Sequence, residues 1–189
     1  MDNASLILAT LDEHLDHPVR LVLYGRAALQ LGFAVPPQGV GQSQDVDCII
    51  PAADLEILNA DLNFWDAQEA TNNKLRHRGL YITHLFRDDQ IFLRRDWELH
   101  VLPIKKIPLR YLQLYRPATV DLVLTKMMRG DDPQDMADAE FLIRHDRIIE
   151  PQLLEAFDQM QPIELVELRD AFAKAKPVVL KIACQVGNN

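Results

Sequence analysis

The chain has 189 residues, 48% of them apolar, which suffices for one compact domain or a domain with a helical extension. Its 20 basic against 28 acidic residues leave a formal charge of −8, which excludes the broad basic footprint of a nucleic-acid coat protein. No stretch approaches the roughly 18 apolar residues of a membrane span, and the acidic N-terminal stretch does not read as a secretory signal. The two cysteines, Cys48 and Cys184, lack metal-ligand spacing and read as buried thiols, so the expectation is a cytoplasmic protein.

In chain order, Leu6, Leu8, Leu11 and Leu15 predict a short amphipathic helix over about 5–15, capped by Ser5 or Asn3. Val19 to Tyr24 is β-branched and apolar between Pro18 and Gly25, and predicts a strand. It runs into Gly25-Arg-Ala-Ala-Leu, a tight turn opening a helix, whose backbone N–H groups and dipole suit an anion. After a Pro- and Gly-rich connector over 33–44 comes a second strand, Asp45-Val-Asp-Cys-Ile-Ile50, ended by Pro51.

Downstream, Leu55, Leu58 and Leu62 predict a helix over 52–62, and 68–79 is a polar stretch carrying Lys74, Arg76, His77 and Arg78. That stretch reads as a solvated loop or as a place to meet phosphates. Strands are expected over 80–86, 91–93 and 97–102, the last stopped by Pro103. The remainder reads as helical: 120–128 capped by Thr119, then 133–143, 151–160 and 162–175, with 178–186 open between strand and helix. His77, His84 and His100 are scattered and read as structural or solvated. The expected domains are an α/β core over 1–115 and a helical region over 116–189 packed on it.

The chemistry centres on Asp45 and Asp47. Residues i and i+2 of a strand share a face, so the two carboxylates project together. Their repulsion is relieved by a cation between them, and Mg²⁺ accepts one or two carboxylates with water and phosphates. Alone, such a pair also fits a solvated strand end. Glu98 would become a third carboxylate if its strand lay beside DVDCII, and would face water on an edge strand.

A strand, a glycine turn into a helix, a strand bearing Asp-x-Asp and a later lone acid resemble the nucleotidyltransferase fold of the polymerase-beta type. Within it the chain is most similar to AbiE-type toxins and minimal nucleotidyltransferase-like proteins. The residues that carry this are Tyr24-Gly25-Arg26-Ala27, Ser43-Gln-Asp45-Val-Asp47, Trp97-Glu98-Leu99, Asp121 to Arg129, and Asp135-Met-Ala-Asp138. The resemblance implies an α+β fold, a small mixed sheet flanked by helices with a helical C-terminal part. It also implies Mg²⁺- or Mn²⁺-dependent transfer of a nucleoside monophosphate from an NTP to an acceptor hydroxyl. Asp45, Asp47 and Glu98 would be the catalytic metal ligands, and Gly25, Arg26, Ser43, Lys126 and Arg129 would bind nucleotide. Asp135 and Asp138 would orient Lys126 or serve the acceptor side; read alone, they are solvated first-turn acids. The acceptor would be an RNA, a protein or a small molecule, and an antitoxin-like partner is implied.

Arg26 departs from the glycine or serine of that turn, and Gly25 lies further from Asp45 than in the tightest versions of the motif. An arginine there either adds charge to the phosphates or blocks them. It favours a second reading, a non-catalytic nucleotidyltransferase-like binding or regulatory protein of toxin–antitoxin type. A third, an unrelated metal-dependent phosphohydrolase, would also cluster acids, but no histidine-rich pattern supports it.

Overall fold

The computed structural model describes residues 1–161 and 164–187, and only the backbone of Thr83 and His84. The protein is α+β. Its contacts divide it into two compact units, residues 1–88 with 101–116, and 89–100 with 117–189.

In the first unit, α1 (Asn3–His14) starts on Asp2, whose carboxylate accepts from the Ser5 amide at 2.9 Å. Asp2 is therefore the cap, in place of Ser5 or Asn3. β1 (Val19–Tyr24) leads into α2 (Gly25–Gly32), and β2 (Asp45–Ile50) follows the connector. The expected helix over 52–62 is broken into a 3-10 turn (Ala52–Asp54) and the short α3 (Leu55–Asn59). The break falls where Asp61 takes the Phe64 amide at 3.0 Å and starts a new helix, α4 (Leu62–Leu75). Phe64, Ala67, Thr71 and Leu75 are its buried face, so the polar stretch over 68–79 is largely helix rather than loop. Its cations gather near the C-terminal end, where the dipole favours them, and Lys74 pairs with Glu13 at 2.6 Å.

β3 (Tyr81–Arg87), β4 (Leu102–Pro103) and β5 (Leu112–Arg116) complete a five-stranded mixed sheet of order β3-β2-β1-β5-β4. β1 lies antiparallel to β2 and parallel to β5, which sequence reading did not foresee as a strand. The carboxylate of Asp12 in α1 fixes where β5 begins, accepting from the amides of Arg110, Tyr111 and Leu112 at 2.7–2.8 Å. Leu8 and Leu11 of α1, Ala28 and Leu29 of α2 and Phe64 of α4 are buried with Leu21, Leu23, Val46 and Cys48 of the sheet. Cys48 is buried as expected, whereas Cys184 is exposed.

Two expected strands do not form. Ile91, Phe92 and Leu93 are buried without pairing in the sheet; Leu93 O accepts instead from the Gln161 amide at 3.0 Å. Residues Trp97–His100 close into a 3-10 turn, held by the Leu99 amide on Asp96 O at 3.0 Å and by Asp96 against His100. Pro103 is the last residue of the two-residue β4, which begins only at Leu102.

The second unit also contains α5 (Thr119–Lys126), α6 (Pro133–His145), α7 (Glu150–Gln159) and α8 (Val166–Gly187). Ala118 occupies the cap of α5, with Thr119 already helical and buried. α8 continues through Pro177 to Gly187, so 178–186 is helix; Ala175, Val179, Ile182 and Ala183 are its buried stripe. The expected helix start at Pro162, like the His84 side chain, lies outside the described residues. Among the described residues no helix is long and apolar enough to cross a membrane.

Candidate functional site

Asp45 and Asp47 open β2 half-buried, while Val46 and Cys48 between and after them are fully buried. The alternation read from the sequence is therefore the one the strand adopts. The Ser43 hydroxyl donates to Asp45 Oδ1 at 2.8 Å and fixes that carboxylate's orientation. Across the ladder Tyr24 pairs with Asp47, so the residue after Tyr24 turns beside that carboxylate. That residue is Gly25, with φ +62°, and a Cβ on it would stand 3.5 Å from Asp47 Oδ2. The first turn of α2 has neither a side-chain cap nor an acidic residue.

The carboxylates set the local electrostatics. Burial raises the Tyr24 phenol pKa far above its ordinary value, and the negative charges of Asp47 and Asp45 add to it. Cys48 is pushed up in the same way, first by burial and then by Asp47. Both stay neutral, and the Tyr24 ring meets Phe86 edge-on at 5.6 Å. Arg26 is half-buried, and its Nη2 lies 3.8 Å from where a Cβ on Gly39 would stand, so the guanidinium reaches the connector before β2.

The expected third carboxylate is not on a neighbouring strand. β2 has β1 and β3 as neighbours, and neither Val19–Tyr24 nor Tyr81–Arg87 contains Asp or Glu. Glu98 lies on the 3-10 turn of the second unit. Among the described residues no three His, Cys, Asp or Glu side chains gather as a metal cluster would require.

Lys126, Asp135 and Asp138 are 5%, 5% and 4% exposed, which rules out solvated first-turn acids. Lys126 Nζ donates to Asp135 Oδ1 at 3.1 Å and to Asp138 Oδ2 at 2.7 Å. Arg129 donates from Nε to Asp135 Oδ2 at 2.5 Å and from Nη2 to Asp132 at 3.3 Å. Asp132 in turn caps α6 by accepting from the Gln134 and Asp135 amides. Two cations and two buried anions thus close on one another between α5 and α6. Both aspartates orient Lys126, whose ammonium is enclosed by them.

Arg94 and Asp121 form a pair that the sequence pattern does not single out. Asp121 is fully buried and accepts from Arg94 Nε, Nη2 and backbone N at 3.1, 2.8 and 3.1 Å. An acid on the apolar face of the α5 pattern was the available signal, since a buried carboxylate needs a cation. Arg94 also lines a cavity of about 440 Å³ within the second unit, beside Thr119, Ile148 and Gln152. No protein-family model, curated protein or solved structure matches the chain.

Proposed function

We propose that the Gly25 turn and the Asp45/Asp47 pair form a Mg²⁺-dependent nucleotide site, and that the protein is a nucleotidyltransferase acting on an acceptor hydroxyl. The observation that carries this reading is the Tyr24–Asp47 register, which sets the left-handed glycine turn and the start of α2 against the paired carboxylates. The donor set fits the ion: two hard oxygen ligands on one strand face, half-exposed, with room in its shell for water and phosphate. The chemistry such a cation would supply when bound is neutralisation of charge on the triphosphate. Asp45 and Asp47 would hold the cation, Ser43 keeps Asp45 aimed, and the uncapped amides at the start of α2 would be available to the phosphates.

One observation favours the second reading, binding without transfer: β3 supplies no acid beside β2. In that reading the protein is a non-catalytic binding or regulatory component of toxin–antitoxin type, and nucleotide binding is not required of it. Calorimetric titration of each NTP with Mg²⁺ into wild type and Asp45→Ala/Asp47→Ala tests the site. Metal-dependent binding lost in the variant supports it; no binding by wild type overturns the transferase reading and leaves the non-catalytic one, with Arg26 blocking the turn and a protein partner as the ligand to seek. Pyrophosphate release on adding RNA or protein acceptors then separates transferase from binder.

A further inference from the structure

Because β1 and β2 are antiparallel, the start of β1 and the end of β2 meet at the sheet end remote from Asp45 and Asp47. A cavity of about 230 Å³ lies there, walled by Val22, Ile49, Ile50, Ile57 and Leu58. Ile57 is 74% exposed, an apolar side chain held in water at this wall. The volume falls below the roughly 300–1,000 Å³ of pockets for drug-sized molecules, so a smaller occupant fits.

The polar groups of the lining are not equivalent. His17 has a carboxylate on each ring nitrogen, Asp16 at 2.6 Å and Asp61 at 2.9 Å, and Asp61 also caps α4. These groups satisfy one another. Arg20 differs: its guanidinium lies over the Tyr115 ring at 5.0 Å, and its nearest acid, half-exposed Asp54, stands 3.8 Å away. That is beyond hydrogen-bond length, and among the described residues no acceptor takes a hydrogen bond from Arg20. By contrast Arg94 and Arg129 are both hydrogen-bonded to carboxylates.

We propose that this cavity binds a small apolar carboxylic acid, branched aliphatic or monocyclic aromatic. Its carboxylate would take the Arg20 fork in bidentate fashion, and its hydrocarbon body would lie against Ile49, Ile57 and Leu58. The Tyr115 ring, 5.0 Å from the guanidinium carbon, holds the cation in place on one side, while among the described residues no hydrogen-bond acceptor occupies its fork. A bidentate pair is stronger than the loose contact to Asp54 that it would replace. The site is separate from the Asp45/Asp47 pair and does not depend on nucleotide binding there.

The test is protein-observed NMR titration with benzoate and isovalerate, beside benzamide and isovaleramide, on wild type, Arg20→Gln, Arg20→Lys and Leu58→Trp. Arg20 is on the surface, and matching melting curves for its variants establish that they fold. Wild type is expected to bind the acids at millimolar concentration, with shifts at Val22, Ile49 and Leu58, and to bind the amides more weakly. Arg20→Gln should weaken acid binding about tenfold or more while leaving the amides unchanged. Arg20→Lys should fall between, and Leu58→Trp should exclude both classes. The proposal is overturned if wild type binds neither acid, if acids and amides bind alike, if Arg20→Gln binds acids as wild type does, or if the shifts map elsewhere.

Discussion

Tyr24 on β1 stands directly across the ladder from Asp47 on β2, and the next residue, Gly25, turns at φ +62° beside the Asp47 carboxylate. The site geometry follows from that pairing together with a backbone conformation that L side chains rarely adopt. A Cβ at 3.5 Å from Asp47 Oδ2 would be an ordinary contact, so substitution is resisted by the backbone rather than by crowding. Gly25→Ala should therefore cost about 1–2 kcal/mol. Denaturant unfolding measures the loss, and NTP affinity should fall with it if the turn cradles phosphate. A stability unchanged from wild type would show that the turn carries no such strain.

His17 ties the start of β1 to the cap of α4 through Asp61. Its pKa is raised above the ordinary 6.5, chiefly by hydrogen bonds from the ring to Asp16 and then Asp61. A raised folded-state pKa favours the native state fully below 6.5, and this contribution is lost as pH climbs through the folded value. Wild-type Tm should thus decline over that window more steeply than the Tm of His17→Gln. Parallel melting profiles for the two proteins would remove His17 as the cause.

Much of the first unit was legible because local rules and tertiary packing agree there. The β1 and β2 spans, the alternation at Asp45 and Asp47, and the glycine turn all follow from residue order. β5 was hidden because its position depends on Asp12, about a hundred residues earlier, accepting three of its amides. The segment Trp97–His100 shows the opposite failure. Its apolar residues alternate as a strand would, but Trp97 is buried while Leu99 is 83% exposed, because hydrogen bonds to Arg94 and Asp96 curl it. Pattern alone cannot rank those bonds against a ladder. The polar character of 68–79 also misled, since only the stripe of Phe64, Ala67, Thr71 and Leu75 marks that helix.

Asp121 and Arg94 form a two-toothed pair, with the Arg94 amide on the same carboxylate. Removing the anion strands a largely buried guanidinium, so Asp121→Ala should cost about 3–5 kcal/mol. Asp121→Asn keeps one acceptor and should cost less. Unfolding in urea ranks the two variants. Equal, small losses would mean that Arg94 finds other partners.

The last prediction concerns Lys126, Asp135, Asp138 and Arg129. Burial alone would raise the Asp135 pKa, but the hydrogen bond from Arg129 and the charge of Lys126 outweigh it and hold the pKa below the ordinary 3.8. A depressed folded-state pKa contributes stability above 3.8 that is lost as pH falls through the folded value. Asp135→Asn should flatten the acid limb of the stability profile there. Lys126→Met leaves two buried carboxylates with Arg129 as the remaining cation, and should cost about 3–5 kcal/mol at neutral pH. Adding Asp138→Leu to Lys126→Met removes one stranded anion and should recover part of that loss, a coupling that a double-mutant cycle measures directly. If the two substitutions simply add, Lys126 and Asp138 are not energetically paired, and the closed network between α5 and α6 is a geometric coincidence.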